Sequence, residues 1–393
     1  MIETTPFHGA PRARAIALAV GVAGLALTGV AFALDHRDGA FSYLLGFAYW
    51  AGLGLASLTA LMIFHASRSR WMVVIRRLNE FLSLGAPLFA LLFIPIVLAL
   101  PLLFDWASGA DLGEELNALV AHRRPYLNPA FFTLRGFLYL AIWFVCARLL
   151  FSYSTKQDET GALDLTVKQR VVGSVGLPLV GFAFTFASFD WLMSLNLKWS
   201  SSMFGIYYFA GSFVGAIALI VVTAALAERA GLLKGVLTDV HWHNLGKLLF
   251  AFTVFWGYIA FSQYLLVWIA NLPEELPWMA RRTQGEWQPL GVALVLGQFV
   301  LPFVVLLPRA IKRQPRKLAL VAVWILVMHW VDLYWLIMPR AREASALPHW
   351  GDFAATLGVG GVVVAFLLWR AAGKALVPAR DPFLDVSLRY NRS

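Results

Sequence analysis

Long apolar stretches separated by short polar clusters organise the whole chain. Ten can be placed, at about 15–34, 41–65, 80–104, 129–152, 171–195, 202–227, 246–271, 287–308, 318–338 and 350–371. Runs of about 20 apolar residues match the ~30 Å hydrocarbon core of a bilayer. In hydrocarbon only helices and closed barrels satisfy their own backbone, and runs this long and continuous are helices. The pattern predicts an all-α integral membrane protein with about ten transmembrane helices. The first stretch follows Arg12 and Arg14 and ends near Ala31-Phe32-Ala33, much like a signal peptide. Its apolar run is long for such a segment, so it reads as a retained first helix.

Composition agrees with this pattern. Of 393 residues, 60% are hydrophobic and 14% charged, where a soluble domain carries roughly a quarter charged. The net charge of +10 would fit a nucleic-acid partner, but the basic residues sort by segment instead. Of 32 Lys and Arg, 23 fall in one alternate set, which includes Arg68, Arg70, Arg76, Arg77, Arg170, Arg316 and Arg392. The other set holds Arg37, Arg123, Arg124, Arg135, Lys198, Arg281, Arg282, Arg340 and Arg342. The positive-inside rule then places both termini in the cytoplasm and leaves no role for nucleic acid.

Cys146 is the only cysteine. That excludes an internal disulfide, a CxxCH haem attachment, a Cys₄ iron–sulfur centre and a structural zinc site. His65 and His329 are the only histidines inside the predicted spans, in opposite halves of the membrane, so a bis-histidine haem is not expected. His241-Trp242-His243 falls in a predicted loop without further ligand types. The chain is therefore expected to hold no covalent or metal cofactor. It carries no nucleotide motif, and nothing argues for ATP-driven transport.

An internal repeat is visible. Gly46-x-x-Tyr49-Trp50-Ala51-Gly52 in the second stretch matches Gly205-x-x-Tyr208-Phe209-Ala210-Gly211 in the sixth. A weaker echo relates Asp190-Trp191-Leu192-Met193 in the fifth to Asp332 and Trp335-Leu336-Ile337-Met338 in the ninth. Four spans separate each pair, so both copies run the same way, as in a parallel repeat. The expected organisation is 1–40 (N-terminus and first helix), 41–195 and 196–345 (two four-helix bundles), and 346–393 (last helix and tail). Chance recurrence of small and aromatic residues is the competing explanation.

Ionisable groups in a bilayer are costly and mark function by default. Arg135, Asp190, Gln263, Tyr264, His329 and Asp332 all fall roughly 8–14 Å inside the same predicted surface at 1.5 Å per residue. His329 and Asp332 are three apart, where a carboxylate can orient an imidazole and raise its basicity. With Trp191, Trp330, Tyr334 and Trp335 nearby, these groups offer a flat slot and a base, the two requirements for taking protons from a quinol as its electrons leave. Arg135 with Asp190 reads equally well as a buried ion pair, and single tryptophans near an interface are usual anchors. At the opposite surface His65, Glu80 and Lys247 are candidates for admitting protons, or are snorkelling end residues.

Several motifs together resemble a known family. They are Phe186-Ala-Ser-Phe189-Asp190-Trp191-Leu192-Met193-Ser194-Leu195, Trp199 with Ser201, Phe204-Gly205-x-Tyr207-Tyr208-x-x-Gly211, and Asn244-Leu245-Gly246-Lys247-Leu248-Leu249-Phe250. Ala260-Phe261-Ser262-Gln263-Tyr264, Asn271-Leu272-Pro273-Glu274-Glu275 and His329-Trp330-x-Asp332-x-Tyr334-Trp335-Leu336-Ile337-Met338-Pro339 complete the set. From about 15 to 375 the chain resembles the NrfD-like (polysulfide reductase membrane subunit) superfamily, and within it the ActF-type, quinone-binding-type membrane subunits of bacterial alternative complex III. The resemblance implies ten helices in two four-helix bundles, a bacterial cytoplasmic membrane, and quinol:cytochrome c oxidoreductase activity by the whole complex. Implied partners are a second NrfD-like subunit, a periplasmic iron–sulfur (molybdopterin-oxidoreductase-like) subunit, c-type cytochromes and lipids, with quinone or quinol as bound substrate. The residues also leave open a scaffold with a vestigial quinone site, and a secondary transporter with a parallel repeat.

Overall fold

Uninterrupted apolar sequence produces uninterrupted helix here, and ten helices are long and apolar enough to cross a membrane. The computed structural model describes residues 6–273 and 275–390; Glu274 of the motif set and Arg392 of the basic set lie outside them. In chain order the spans are α1 (Pro11–Leu34), α2 (His36–Ala66), α3 (Arg70–Leu98), α4 (Pro129–Thr160) and α5 (Leu163–Leu195). They continue as α6 (Phe204–Arg229), α7 (Asp239–Ala270), α8 (Gly285–Leu306), α9 (Pro315–Arg340) and α10 (Trp350–Ala371). No strand occurs among the described residues. The fold is all-α and multi-pass.

Packing follows the repeat. α2 to α5 contact one another as one bundle and α6 to α9 as a second, and α2 lies against α6 where they meet. α1 and α10 pair with each other and cover α2. α2 and α6, which carry the repeated motif, are the two most buried spans. Small residues explain how closely they approach. A Cβ on Gly52 would stand 2.6 Å from Ser212 Oγ and 2.7 Å from the Tyr208 hydroxyl. Tyr208 donates to the Ala48 carbonyl at 2.6 Å, and Tyr49 of the other copy donates to Leu326 of α9 at 3.1 Å. Each repeated tyrosine thus ties its own bundle to the other. Helices in lipid gain nothing by hiding apolar surface from one another, so close backbone contact and such hydrogen bonds hold them.

Helix ends differ from the hydropathy boundaries. α3 begins at Arg70 rather than near 80, and α7 at Asp239 rather than 246. Arg76 and Arg77, read as loop cations, are therefore helical and buried. His241-Trp242-His243 likewise forms the first turn of α7, not a loop. Hydropathy marks where side chains meet lipid, whereas the backbone stays helical for further turns wherever polar side chains find partners. At this same end of the bundle, where Arg77 reaches the Ala375 carbonyl, the Phe7 amide donates to the Lys374 carbonyl at 2.9 Å, so the two terminal segments lie on one side.

Candidate functional site in the second bundle

His329 and Asp332 stand one turn apart on α9 and are fully buried. They face α6 at Gly211, where a Cβ would come 3.0 Å from Asp332 Oδ2 and 3.1 Å from His329 Nδ1. The repeated glycine is what lets α9 bring this pair against α6. The expected hydrogen bond between them is not formed. His329 Nδ1 lies 3.9 Å from Asp332 Oδ2, beyond hydrogen-bond reach, and neither ring nitrogen has a partner among the described residues. Asp332 instead accepts from the Tyr207 hydroxyl at 2.5 Å and from Trp256 Nε1 at 3.2 Å. Two donors on neighbouring helices hold the carboxylate, and the imidazole on its own helix does not reach it.

Tyr207 and Trp256 also line a cavity of about 810 Å³ between α6, α7, α8 and α9. That volume is in the range of small-molecule sites, roughly 300–1,000 Å³. Gln263, Tyr264 and Trp335 line it as well. Ser201 Oγ donates to Gln263 Oε1 at 2.7 Å and fixes that amide. The mouth is bounded by Tyr258, Phe261 and Val295, apolar side chains exposed on the outer surfaces of α7 and α8, so it opens sideways toward lipid. One wall of α8 is a π-helical turn, Val295–Val300, a distortion frequent at functional sites. Trp324 Nε1 donates to the Gly297 carbonyl of that turn at 2.7 Å.

Arg282 closes the end of the cavity, on a short helix, Leu276–Thr283, outside the spans. Its side chain is fully buried and has no carboxylate partner among the described residues. It donates to the carbonyls of Trp278 (2.9 Å), Trp335 (3.2 Å) and Leu336 (2.7 Å). The guanidinium lies 3.9 Å from the Trp278 ring centroid, and Trp278 is stacked on Trp199 at 3.9 Å. Burial pulls the guanidinium down to about 9, so at neutral pH it remains a cation. The site therefore has an apolar body, a fixed cation and a carboxylate reached through a phenol.

Arg135, Asp190 and Trp191 belong to the first bundle and form a separate cluster. Arg135 binds both Asp190 oxygens at 2.8 Å, Tyr139 donates to Asp190 Oδ2 at 2.7 Å, and Arg135 Nη1 donates to the Tyr126 carbonyl at 2.8 Å. Trp191 packs between Phe47, Phe93 and Tyr139. Of Arg135, Asp190, Trp191, Gln263 and Tyr264, the candidates for contact with a quinone, only Gln263 and Tyr264 line the large cavity. Shared depth misled here, because equal depth on different bundles is not proximity. The two aspartates related by the repeat differ in kind: Asp190 is neutralised by an arginine, and Asp332 is held by neutral donors.

At the other end of the bundle, Glu80 is fully buried, 3.0 Å from Arg76 Nε and 2.8 Å from Arg77 Nε. Arg76 also pairs with Asp381 at 2.6 Å and Arg77 with Asp158 at 2.7 Å. His65 is buried beside Arg76 in a shallow pocket, and Lys247 is half-buried on α7. No group of three or more His, Cys, Asp or Glu that could hold a metal occurs among the described residues. His241 uses both nitrogens locally, toward Thr238 N (3.0 Å) and Ser387 O (3.1 Å).

Sequence alone does not single out Tyr207 and Trp256 as partners of Asp332, nor Arg282 as anything but a topology signal. Tyr207 had a detectable sign, since it sits four residues before Gly211 and so shares its helix face. Arg282 had none, because its burial depends on a short helix folding over the bundle end. No protein-family model matches the chain, and no curated protein is significantly similar to it.

Proposed function

We propose that this chain is a non-haem membrane subunit of a quinol:cytochrome c oxidoreductase of the alternative complex III type, lying in a bacterial cytoplasmic membrane with both termini in the cytoplasm. The observation that carries this reading is the cavity in the second bundle. It is apolar, opens toward lipid, and ends at Tyr207, Trp256 and Arg282. A quinol is a lipid-soluble aromatic diol that must enter from the bilayer and lose two protons with two electrons. Its ring fits against Trp256 and Trp335. The Tyr207 oxygen accepts a proton from a quinol hydroxyl as its own proton passes to Asp332, at 2.5 Å. Arg282 stabilises the quinolate that forms, a cation placed where negative charge develops. The electrons leave to an iron–sulfur centre of a partner subunit and then to c-type cytochrome, with a second NrfD-like subunit completing the membrane part. Asp332 releases its proton on the periplasmic side.

The test is binding. Short-chain quinol titrated into the purified chain should quench tryptophan fluorescence saturably, since Trp256, Trp278 and Trp335 line the cavity. Val295→Trp, at the mouth, should fill the opening and abolish the effect. Equal quenching of parent and Val295→Trp, or no saturable binding by the parent, would refute the reading.

A further inference from the structure

Far from the large cavity, the ends of α2, α3 and α5 and the C-terminal segment surround a shallow pocket lined by His65, Arg68, Arg70, Arg76, Arg170 and Asp381. Arg76 is neutralised there by Asp381 and Glu80. Asp381 is used up, because its other oxygen accepts from the Phe383 backbone at 2.8 Å. Arg68, Arg70 and Arg170 have no carboxylate in ion-pair range among the described residues. Arg70 and Arg170 nevertheless converge on one ring, their guanidinium carbons 4.9 Å and 5.4 Å from the Phe383 centroid. Two like charges gathered on one aromatic ring repel each other unless an anion joins them. A second, independent sign is His65. It is 7% exposed, lines the same pocket, and its Nε2 is buried with no hydrogen-bond partner among the described residues. A buried nitrogen left unpaired is costly, and such groups call for a partner. Thr166 also lines the pocket. Its hydroxyl oxygen accepts from Gln157 at 2.6 Å, which leaves its own proton to donate.

We infer that this pocket binds a phosphate group, held by Arg68, Arg70 and Arg170 and by His65 Nε2. A phosphate offers several acceptor oxygens to guanidinium forks and satisfies the imidazole at once. The pocket is shallow and lies where spans end, which suits a phosphodiester whose acyl chains remain in the bilayer, an arrangement basic pockets between membrane helices favour. Free inorganic phosphate has the same chemistry at the site.

The experiment uses the full chain, stripped of lipid in neutral detergent, with unfolding followed by tryptophan fluorescence. Three additions are compared at equal ionic strength: phosphatidylglycerol, phosphatidylcholine and inorganic phosphate. Phosphatidylglycerol should raise the midpoint of the parent well above phosphatidylcholine. Arg70→Gln/Arg170→Gln should need at least tenfold more lipid for half the effect. Without any anion, this variant should unfold at or above the parent midpoint, because its repulsion is relieved. A full shift with inorganic phosphate alone would assign the site to the free ion and still support it. An identical shift in parent and variant would overturn the inference, as would a parent that responds to neither anion. Should the double variant not fold, Arg170→Gln alone serves the same comparison.

Discussion

At the residue scale, Asp332 and Asp190 show how one side chain takes two roles from its neighbours. Asp190 is clamped by a two-point arginine contact and a tyrosine. Removing Arg135 would strand a buried carboxylate, and breaking a buried pair costs about 3–5 kcal/mol. Arg135→Ala should therefore unfold much earlier in denaturant than the parent, and Asp190→Asn should lose less; equal midpoints would show that the pair contributes nothing. Asp332 has no such cation, and in the proposed reaction it exchanges its proton through Tyr207, whose hydroxyl it holds at 2.5 Å. Asp332→Asn preserves shape, with its oxygen accepting from Trp256 Nε1 and its amide donating to the Tyr207 oxygen, so the protein should assemble with its partners. Proton transfer through one such group contributes about 10²–10⁴-fold, and quinol oxidation limited by this step should fall by that order. An Asn variant that assembles and turns over at the parent rate across pH 6–8 makes Asp332 structural and favours the scaffold reading.

Elements meet here through glycine. α1 and α10 touch backbone to backbone: a Cβ on Gly361 would lie 2.4 Å from Gly21 N, and one on Gly24 would lie 2.6 Å from Gly358 Cα. Such spacing leaves no room for a side chain, and these neighbours are main-chain atoms that cannot step aside. Gly361→Leu should force the two helices apart, overpacking by about 1–3 kcal/mol or more, and lower the thermal midpoint by several degrees. Gly29 on α1, where a Cβ would meet nothing within 4 Å, is the control, and Gly29→Leu should leave the midpoint near the parent value. Matching losses at both positions would mean that the contact is not tight. The π-helical turn in α8 is the second special element. It shifts the register of α8 beside the cavity, and the carbonyl freed there is taken by Trp324.

For the whole molecule, topology is the property most open to direct test. Residues 7 and 374 are hydrogen-bonded neighbours, so the terminal segments share a side, which the split of 23 basic residues in 32 leads us to propose is the cytoplasm. Reporter fusions at Ala162 and Gln314 should read cytoplasmic, and fusions at Gly113 and Gly285 periplasmic. A cytoplasmic signal at Gly285 would invert the assigned direction of the large cavity and with it the proposed route of proton release.

Ten spans, their order and the repeat were legible in the sequence, because lipid imposes length and polarity on every helix separately. The motif glycines were legible too, since α2 and α6 carry them at matching positions. The partners of each polar side chain were not. His329 and Asp332 were paired from their spacing, yet Tyr207 and Trp256 hold the carboxylate, and they come from two other helices. Arg135, Asp190 and Trp191 share a depth with Gln263 and Tyr264, yet the bundle boundary separates them. The cavity, the buried Arg282 and the cation cluster beside His65 arise where three or more elements converge. Depth and spacing are properties of one helix, but neighbours across helices depend on rotation and crossing, which only the packed structure decides.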